Sequence, residues 1–509
     1  MRTIFTRWFQ KCKSRIERRL DKKPDTMTFT PEFTASNIHY DVSQRDGAIL
    51  QGGIGAIHLF ARKLGLIRAI DERLHLLKFH MPYHESDHVL NLAYNALCDA
   101  TCRQDIELRR HDENFLNALA TRRLPDPTTA GDFCRRFQRP DIDTLIDVFN
   151  DTRKRVWKDQ PKSFLDRAIL DMDGTMVATT GACKGGMDLG YDGTWGYHPL
   201  VLSLANTGEV LSVVNRPASR PSHEGAAREV FRALKVCFDA GFRKVLLRGD
   251  TDFSQTQCLD LWNRDGRIRF IFGFDAKTNL KQLADELPAS AWKRLERPLR
   301  YQVQTKCRKR RRKVKEQVVK DRKFVNLRLR YEDVAEFEYR PRACGQSYRM
   351  VVVRKNISKE KGEQVLFDNE RYFFYITNER QCSASDIVFC ANDRCNQENL
   401  LAQLHSGCCA LKAPADNLES NWAYMLITAL AWNLKAWWAL SLPVAPGRWQ
   451  AKHQAEKQRV LKMEFKAFLH AFVLLPCQII RTGGKVVYRL LSWNPQLSIF
   501  FRFLRALRC

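Results

Sequence analysis

The sequence is poor in the residues that keep a chain from folding into a globular protein. Among 509 residues there are only 25 glycines and 18 prolines, whereas 44% of the residues are hydrophobic. This composition excludes a mainly disordered or fibrous protein and predicts a large buried core. At roughly one to two hundred residues per domain, we expect about two to four domains.

Acidic residues are scarce relative to basic ones. The chain has 84 lysines and arginines against 57 aspartates and glutamates, which gives a formal net charge of +27. This surplus does not indicate a fold, but it favours polyanionic partners such as nucleic acid or an acidic membrane surface.

The sequence also lacks an uninterrupted apolar run of membrane-spanning length. The nearest candidate, residues 422–442, contains Asn433 and Lys435, and both are costly at the centre of a bilayer. We therefore predict a buried helix there and expect no membrane association. The first twenty residues contain seven lysines and arginines and no long apolar core, so we expect no signal peptide and a cytoplasmic location. An organelle transit peptide remains the alternative for this segment.

Patterned cysteines and glycines are missing as well. The 16 cysteines include no Cys-x-x-Cys pair, and His80, His84 and His88 cannot share one helix because Pro82 interrupts it. The pair Gly185-Gly186 lacks the spacing of a phosphate-binding loop. We therefore predict no zinc site, no disulfide framework and no nucleotide cofactor.

Hydrophobic periodicity divides the sequence into helical and β-type regions. Apolar residues recur at helical spacing over residues 55–149, and short β-type runs begin near Phe164. Three β-type runs followed by alternating helix and strand are the order of a ribonuclease H-like α/β fold with a mixed sheet. The predicted segments are a basic N-terminal arm (1–50), an all-helical DNA-binding domain (51–160), the first part of the catalytic core (161–276), a β-rich insertion (277–380), the last part of the core (381–440) and a basic helical C-terminal region (441–509).

Two arginines are predicted to contribute DNA contacts in the helical domain. Residues 128–132 resemble a turn and a helix N-cap, which places Arg135 and Arg136 on the following helix. A basic helix in a small helical domain is suited to groove binding. The alternative is an ordinary helical bundle whose arginines are solvated.

A much denser basic run lies in the predicted β-rich insertion. Eight of the ten residues 306–315 are lysine or arginine, and none is acidic. We predict that this run binds a phosphate backbone, with a disordered loop or a localisation signal as the alternatives. The residues assigned to DNA contact are Lys306, Arg308, Lys309, Arg310, Arg311, Arg312 and Lys313.

Three aspartates stand at the ends of predicted buried strands. Asp171 and Asp173 close the run 169–173, and Asp250 closes the run 245–250. Carboxylates at neighbouring strand ends repel one another unless a cation lies between them, and hard oxygen ligands suit Mg²⁺. Because Asp173 is at the exit of its strand and Asp171 is one pleat deeper, we predict Asp173 as a ligand and Asp171 as its support. Turn capping remains the alternative.

Four ordered blocks of the sequence resemble those of a known family. The resemblance is to the DDE transposases of bacterial insertion sequences, most closely the thirteen-eighty family, and it covers roughly residues 50–440. The blocks are Leu170-Asp-Met-Asp-Gly-Thr175, Gly196-Tyr-His-Pro-Leu200, Arg248-Gly-Asp-Thr-Asp-Phe253 and Arg394-Cys-Asn-Gln-Glu-Asn399.

The resemblance implies a set of catalytic residues and a cofactor. It makes Asp173 and Asp250 the first two catalytic carboxylates and Glu398, on the helix after the β-rich insertion, the third. Three such carboxylates are expected to bind two Mg²⁺ ions, for which Mn²⁺ can substitute. Arg394 lies on the same helical face as Glu398 and is assigned a supporting role.

The resemblance also implies a function and partners. It predicts an enzyme that binds the terminal inverted repeats of its insertion sequence, cleaves the ends by metal-dependent hydrolysis and joins the 3′-hydroxyls to target DNA. His405 and Ala391 stand where relatives carry a lysine and a tyrosine, and His405 is assigned to DNA contact. The expected partners are double-stranded DNA and a second copy of the chain, in a bacterial cytoplasm and associated with the nucleoid. A non-catalytic DNA-binding protein and a ribonuclease H-like nuclease without strand transfer remain the alternatives.

Overall fold

The computed structural model describes five stretches of the chain. They are residues 47–181, 183–297, 317–318, 321–361 and 364–508. Most of the predicted basic arm and the whole basic run 306–315 therefore lie outside the described residues.

Strands follow the β-type runs of the sequence. The described strands are β1 (Ala48–Ile49), β2 (Arg167–Gly174), β3 (Val177–Ala178), β4 (Asp188–Leu189), β5 (Trp195–Tyr197), β6 (Leu200–Leu204), β7 (Glu209–Val214), β8 (Lys244–Gly249), β9 (Ile268–Phe274), β10 (Lys293–Arg294), β11 (Val325–Tyr339), β12 (Tyr348–Lys361), β13 (Gln364–Thr377), β14 (Cys477–Thr482) and β15 (Lys485–Leu490).

Helices precede these strands, alternate with them and follow them. The described α-helices are α1 (Ile54–Lys63), α2 (Leu66–Arg73), α3 (Glu85–Leu97), α4 (Glu107–Arg110), α5 (Glu113–Ala118), α6 (Pro127–Arg135), α7 (Arg139–Lys158), α8 (Ala226–Asp239), α9 (Thr256–Arg264), α10 (Thr278–Asp285), α11 (Ala384–Asn392), α12 (Cys395–Ala402), α13 (Leu418–Leu440), α14 (Gln450–Leu461), α15 (Phe465–Phe468) and α16 (Leu497–Arg508).

A mixed sheet of nine described strands forms the centre of the fold. Its order is β10-β11-β12-β13-β9-β8-β2-β6-β7. The strands β2, β6 and β7 are antiparallel neighbours, whereas β8 is parallel to β2 and β9 is parallel to β8. Three antiparallel strands followed by alternating helix and strand are what the sequence predicts. The mixed α/β fold is therefore confirmed.

The strands of the predicted β-rich insertion extend this sheet. The strand β13 is antiparallel to β9, with Phe374 opposite Phe274 and Thr377 opposite Ile271. The strands β12 and β11 follow outward as an antiparallel meander, and β11 is 15 residues long. The β-type pattern within residues 277–380 thus widens the core sheet at its β9 edge.

The helix α13 is buried along almost its whole length. It packs against β7 and against α3, α6 and α7, and Trp437 and Trp438 are fully enclosed. This confirms the buried helix that the sequence predicts for residues 422–442. In the part of the chain that the structure describes, no helix is long and apolar enough to span a bilayer.

A buried carboxylate joins the helical domain, the sheet and α13. Glu209, at the start of β7, has no solvent exposure and accepts hydrogen bonds from the indole N–H groups of Trp157 and Trp437 over 2.9 and 2.7 Å. Nε of the equally buried Arg153 lies 3.5 Å from Oε1 of Glu209. Because Trp157 and Arg153 belong to α7 and Trp437 belongs to α13, Glu209 contacts both helices that cover its strand.

The C-terminal region is not wholly helical, so the prediction for residues 441–509 is wrong in part. The strands β14 and β15 form a hairpin whose turn is Gly483-Gly484, with φ angles of +52° and +72°. A tight hairpin turn requires residues of positive φ, which glycine adopts at low cost. The flanking runs contain β-branched residues that favour strands, and β1 pairs with β14 to complete a small sheet.

The helix that carries Arg135 begins earlier than predicted. The helix α6 starts at Pro127, and its N-cap Asp126 accepts the backbone N–H groups of Thr128 and Thr129. An aspartate N-cap followed by proline at the first helical position is a strong start signal. The cap predicted at residues 128–132 is therefore wrong, and Arg135 is the last residue of α6.

Candidate active site

Two of the predicted catalytic aspartates lie at adjacent strand ends. The strands β2 and β8 are parallel neighbours, and their register pairs Asp171 with Arg248. Asp173 and Asp250 each lie two residues further along, so both reach the same edge of the sheet. Their side chains are partly buried, and the charge of Asp250 acts on Asp173. The structure thus brings these two carboxylates together.

The carboxylate of Asp171 is bound by the guanidinium of Arg248. Arg248 donates from Nε to Oδ1 of Asp171 and from Nη2 to Oδ2, each over 2.7 Å, and Asp171 is only 1% exposed. Nη1 of Arg248 also donates to the carbonyl oxygen of Cys390 over 2.8 Å. A bidentate arginine–carboxylate pair is strong and geometrically specific. Asp173, rather than Asp171, therefore has the carboxylate that is available at the sheet edge.

Arg394 offsets part of the negative charge of the aspartate pair. Its Nη1 donates a hydrogen bond to Oδ2 of Asp173 over 2.9 Å. Burial alone lowers the pKa of Arg394, but the negative charges of Asp173 and Asp250 outweigh burial and raise it. Arg394 is the N-cap residue of α12, which packs against β2. The helix that follows the inserted strands therefore places a positive charge on the aspartates.

The pKa values of both aspartates are raised. Burial raises the pKa of Asp173 from 3.8 to about 6, with Arg394 opposing this rise and the negative charge of Asp250 adding to it. Burial also raises the pKa of Asp250; Arg394 opposes the rise, and Asp252 adds to it. Two carboxylates that are costly to ionise together form a site that gains from a bound cation.

Glu398 does not join the aspartate pair in this structure. It lies on α12, one turn beyond Arg394, and its side chain is exposed. The neighbouring Gln397 is buried and contacts β6: it accepts from the Ser203 hydroxyl, and its Nε2 donates to the carbonyl oxygen of Val201 over 3.2 Å. Across the described stretches, no group of three or more His, Cys, Asp or Glu side chains is arranged to hold a metal ion.

The donor chemistry of the aspartate pair nevertheless fits a divalent cation. Carboxylate oxygens are the hard ligands that Mg²⁺ and Mn²⁺ prefer, and a bound cation offsets the cost of ionising two partly buried carboxylates, which raises both pKa values. In this structure Arg394 supplies that positive charge. Asp173 and Asp250 therefore fit as two ligands of a metal, and Glu398 has to approach them to become a third.

Two histidines lie where β2 ends. Nε2 of His405 is 2.9 Å from the hydroxyl of Thr175, and burial lowers the pKa of His405. A Cβ at position 174 would lie 2.5 Å from Nε2 of His198, so glycine is needed there. Nδ1 of His198 donates to the carbonyl oxygen of Arg220 over 3.0 Å. His405 thus lies beside the aspartate site, where it contacts Thr175, the residue that follows Gly174.

Sequence reasoning assigned no role to His198, Arg248 or Thr175. All three lie within the four blocks that carry the family resemblance, which was the available signal. Their roles depend on contacts between distant segments: Arg248 binds Asp171 over a separation of 77 residues, and Thr175 contacts His405 over 230. A single sequence does not reveal such pairs.

The two arginines assigned to DNA in the helical domain are exposed. Arg135 forms ion pairs with Asp132 and, from Nε over 3.0 Å, with Asp416. Nη1 of Arg136 lies 3.5 Å from the carbonyl oxygen of Leu76. To contact a phosphate, Arg135 has to break two ion pairs. Arg136 has to break only one long hydrogen bond. The assigned basic residues 306–313 lie outside the described residues and remain predictions.

Adjacent aspartates at the edge of a mixed sheet are typical of metal-dependent enzymes that transfer phosphoryl groups. The sequence model of the family described as transposase DDE domain group 1 matches residues 43–507. The chain therefore belongs to the transposase DDE domain group 1 family. Enzymes of this family are metal-dependent transposases, and they generally use divalent ions.

The fold also has a counterpart among solved structures. The piggyBac transposase, in a synaptic complex with hairpin DNA determined by cryo-electron microscopy, is similar at a TM-score of 0.35 and 9% sequence identity over 84% of each chain. No curated protein matches the chain significantly.

Proposed function

We propose that the chain is the transposase of a bacterial insertion sequence, closest to the thirteen-eighty family, and that it cuts and joins the ends of its element. The observation that carries this proposal is the placement of Asp173 and Asp250 at adjacent strand ends, with Arg394 bound to Asp173. The substrates are the terminal inverted repeats and a target DNA. Its location is the bacterial cytoplasm, in association with the nucleoid.

The proposed catalytic residues are Asp173, Asp250 and Glu398, with Arg394 in support. These carboxylates would hold two Mg²⁺ ions, for which Mn²⁺ can substitute. When bound, the ions supply the activation of water or of a 3′-hydroxyl and the stabilisation of the leaving oxygen. The chain contributes by positioning: Arg248 fixes Asp171 one pleat below Asp173, and Arg394 offsets part of the charge of the aspartate pair.

DNA binding is proposed to depend on residues outside the carboxylate pair. The formal charge of +27 favours a polyanion, and Arg135, Arg136, His405 and the basic run 306–313 are the proposed contacts. An element has two ends that must be cut and joined in concert, whereas one chain offers a single set of carboxylates. We therefore propose a homodimer on DNA. Light scattering of the two-ended DNA complex tests this, and one chain per pair of ends would contradict it.

A cleavage assay tests the proposed function. A supercoiled donor plasmid that carries the DNA flanking this reading frame is incubated with the purified chain and Mg²⁺, and the products are separated on a gel. Joined products are expected. Cleavage without joining would indicate a nuclease, and binding without cleavage would indicate a non-catalytic DNA-binding protein. Asp173→Asn should abolish the products, while Asp239→Asn, the same change on an exposed face of α8, should not.

A further inference from the structure

A cavity of about 320 Å³ opens within the helical domain. Its walls come mainly from α3, α4 and α5 and from the segment after α5, and His58 of α1 together with Pro82 and Tyr83 before α3 completes them. The aspartate pair and Arg394 do not line it. The cavity is therefore separate from the candidate active site.

An arginine at this cavity has an unused donor. Arg109 is only 6% exposed, and its Nη2 has no hydrogen-bond partner. Within the described residues no carboxylate forms an ion pair with its guanidinium, and burial lowers the pKa of Arg109. A buried donor without a partner is destabilising, and more so when it is charged. A ligand that accepts hydrogen bonds here would remove that cost.

The cavity also presents an unused acceptor. Nδ2 of Asn95 donates to the carbonyl oxygen of Cys102 over 2.8 Å, which fixes the orientation of the amide. Oδ1 of Asn95 is buried and has no hydrogen-bond partner. A matching ligand must therefore donate as well as accept. A fully ionised anion such as sulfate offers acceptors alone, and a hydrocarbon offers neither.

The residues that line the cavity restrict the chemical class of the ligand further. Tyr94, Phe115 and Leu119 give the cavity flat, apolar walls, whereas Arg122 and Arg123 line it from exposed positions. Apolar walls suit a planar ring, and exposed arginines suit a phosphate next to that ring. A nucleobase in a DNA strand combines a planar ring, acceptors, donors and a neighbouring phosphate.

We propose that this cavity binds one unpaired nucleobase of the DNA substrate, with Arg109 donating to the base and Oδ1 of Asn95 accepting from it. Guanine is the best match, because O6 and N7 accept from an arginine and its ring N–H and amino groups donate. Arg122 and Arg123 then bind the flanking phosphate. The inference rests on the proposed function, since it assumes that DNA is the substrate.

The test compares two DNA duplexes that differ at one position. One duplex carries an unpaired guanine, the other carries an abasic residue at the same place, and binding of the full chain is measured by fluorescence anisotropy. The wild type should prefer the guanine duplex by about tenfold, within the range of one good arginine–base contact. Arg109→Met should remove this preference. Arg123→Ala should weaken the binding of both duplexes equally, because it removes a phosphate contact.

A second variant and a second measurement distinguish loss of the base contact from misfolding of Arg109→Met. Thr121→Trp adds bulk to the lining of the cavity while Arg109 itself is unchanged, and it should also remove the preference. A duplex with an unpaired 5-iodouracil should photo-crosslink to the peptide that contains Tyr94. Equal affinity of the wild type for both duplexes, or crosslinks elsewhere, would overturn this inference and leave the proposed function intact. Failure to bind either duplex would instead overturn the proposed function.

Discussion

A hydrogen bond joins Arg394 to Asp173 across 221 residues of sequence: Nη1 donates to Oδ2 over 2.9 Å. Both side chains are largely shielded from water, at 18% and 15% exposure. The guanidinium therefore occupies an oxygen that a metal needs, and it also lowers the repulsion between Asp173 and Asp250. Arg394 and a divalent ion compete for the same carboxylate.

This competition predicts that Arg394→Met strengthens metal binding. Without the guanidinium, the aspartate pair has a larger uncompensated negative charge, and we expect Mn²⁺ to bind about tenfold more tightly, or ~1.4 kcal/mol. Electron paramagnetic resonance of free Mn²⁺ measures the affinity at pH 7.5. Arg243→Met, which removes an arginine from an exposed pair, should leave the affinity unchanged. Equal or weaker binding by Arg394→Met would show that the guanidinium does not compete.

The two neighbouring aspartates of β2 should respond differently to substitution. Asp171→Asn leaves Arg248 buried without its counter-charge, so we expect a loss of roughly 3–5 kcal/mol in the free energy of unfolding. Asp173→Asn should cost far less stability, yet it should abolish DNA cleavage and leave DNA binding within about a few-fold. Urea denaturation and the plasmid assay measure the two effects. Cleavage by Asp173→Asn at the wild-type rate would show that Asp173 is not the principal ligand.

The raised pKa of Asp173 makes stability depend on pH. Its carboxyl titrates near 6 in the folded chain and near 3.8 when unfolded. The folded state therefore binds the proton more tightly, so this stabilisation is fully present below pH 3.8 and is lost as pH rises through about 6. The difference of about two units between the folded and the unfolded pKa corresponds to ~3 kcal/mol in the free energy of unfolding.

Asp173→Asn isolates this contribution, because an amide does not titrate. Measured by urea denaturation without metal, the stability of the wild type relative to Asp173→Asn should fall by about 2.5 kcal/mol between pH 4 and pH 7.5. Added Mg²⁺ should restore part of the loss at pH 7.5 in the wild type alone, because the ion binds the charged carboxylate. A difference that does not vary with pH would mean that Asp173 has an ordinary pKa.

Local patterns were enough to predict the sheet and the aspartate pair. The runs that became β2 and β8 are apolar and end in aspartate, and parallel neighbours bring such ends to one edge. The helix α13 was predictable because residues 422–440 are mostly apolar, with Asn433 and Lys435 as the costly exceptions. Each of these conclusions depends on residues close together in the sequence.

Contacts between distant segments were not predictable in this way. The extension of the core sheet depends on the pairing of Phe374 with Phe274, and no local signal specifies that partner. The C-terminal hairpin was missed because its apolar residues were assigned a helical period, although Gly483-Gly484 marks the turn. Glu398 was assigned by family resemblance alone, and its exposed position on α12 gives no independent sign of catalysis.

Glu209→Gln should destabilise the whole fold. The substitution keeps the size of the side chain but leaves the buried Arg153, 3.5 Å away, without its counter-charge. We expect a loss of roughly 3–5 kcal/mol in the free energy of unfolding. Glu107→Gln, which disrupts a solvent-exposed pair with Arg110, should change it by less than about 1 kcal/mol. Urea denaturation of both variants at pH 7.5 measures these losses. Equal small losses in the free energy of unfolding would contradict the role given to Glu209.

The basic run is predicted to determine the salt dependence of DNA binding. The test variant replaces Arg308, Lys309, Arg310, Arg311 and Arg312 with alanine, which removes five positive charges. Each phosphate contact contributes about 0.9 to the slope of log affinity against log salt concentration on duplex DNA. If most of these residues contact phosphates, the slope should flatten by roughly three to five units.

The slope separates phosphate contact from a general loss of charge. Anisotropy titrations with one duplex over a series of salt concentrations measure it for the wild type and the variant. The control replaces Lys235 and Arg243, two exposed residues that are already paired with Asp239 and Asp166, and its slope should change by less than about one unit. The control removes two positive charges and the test variant removes five. A similar slope in both would mean that the basic run does not contact the phosphate backbone.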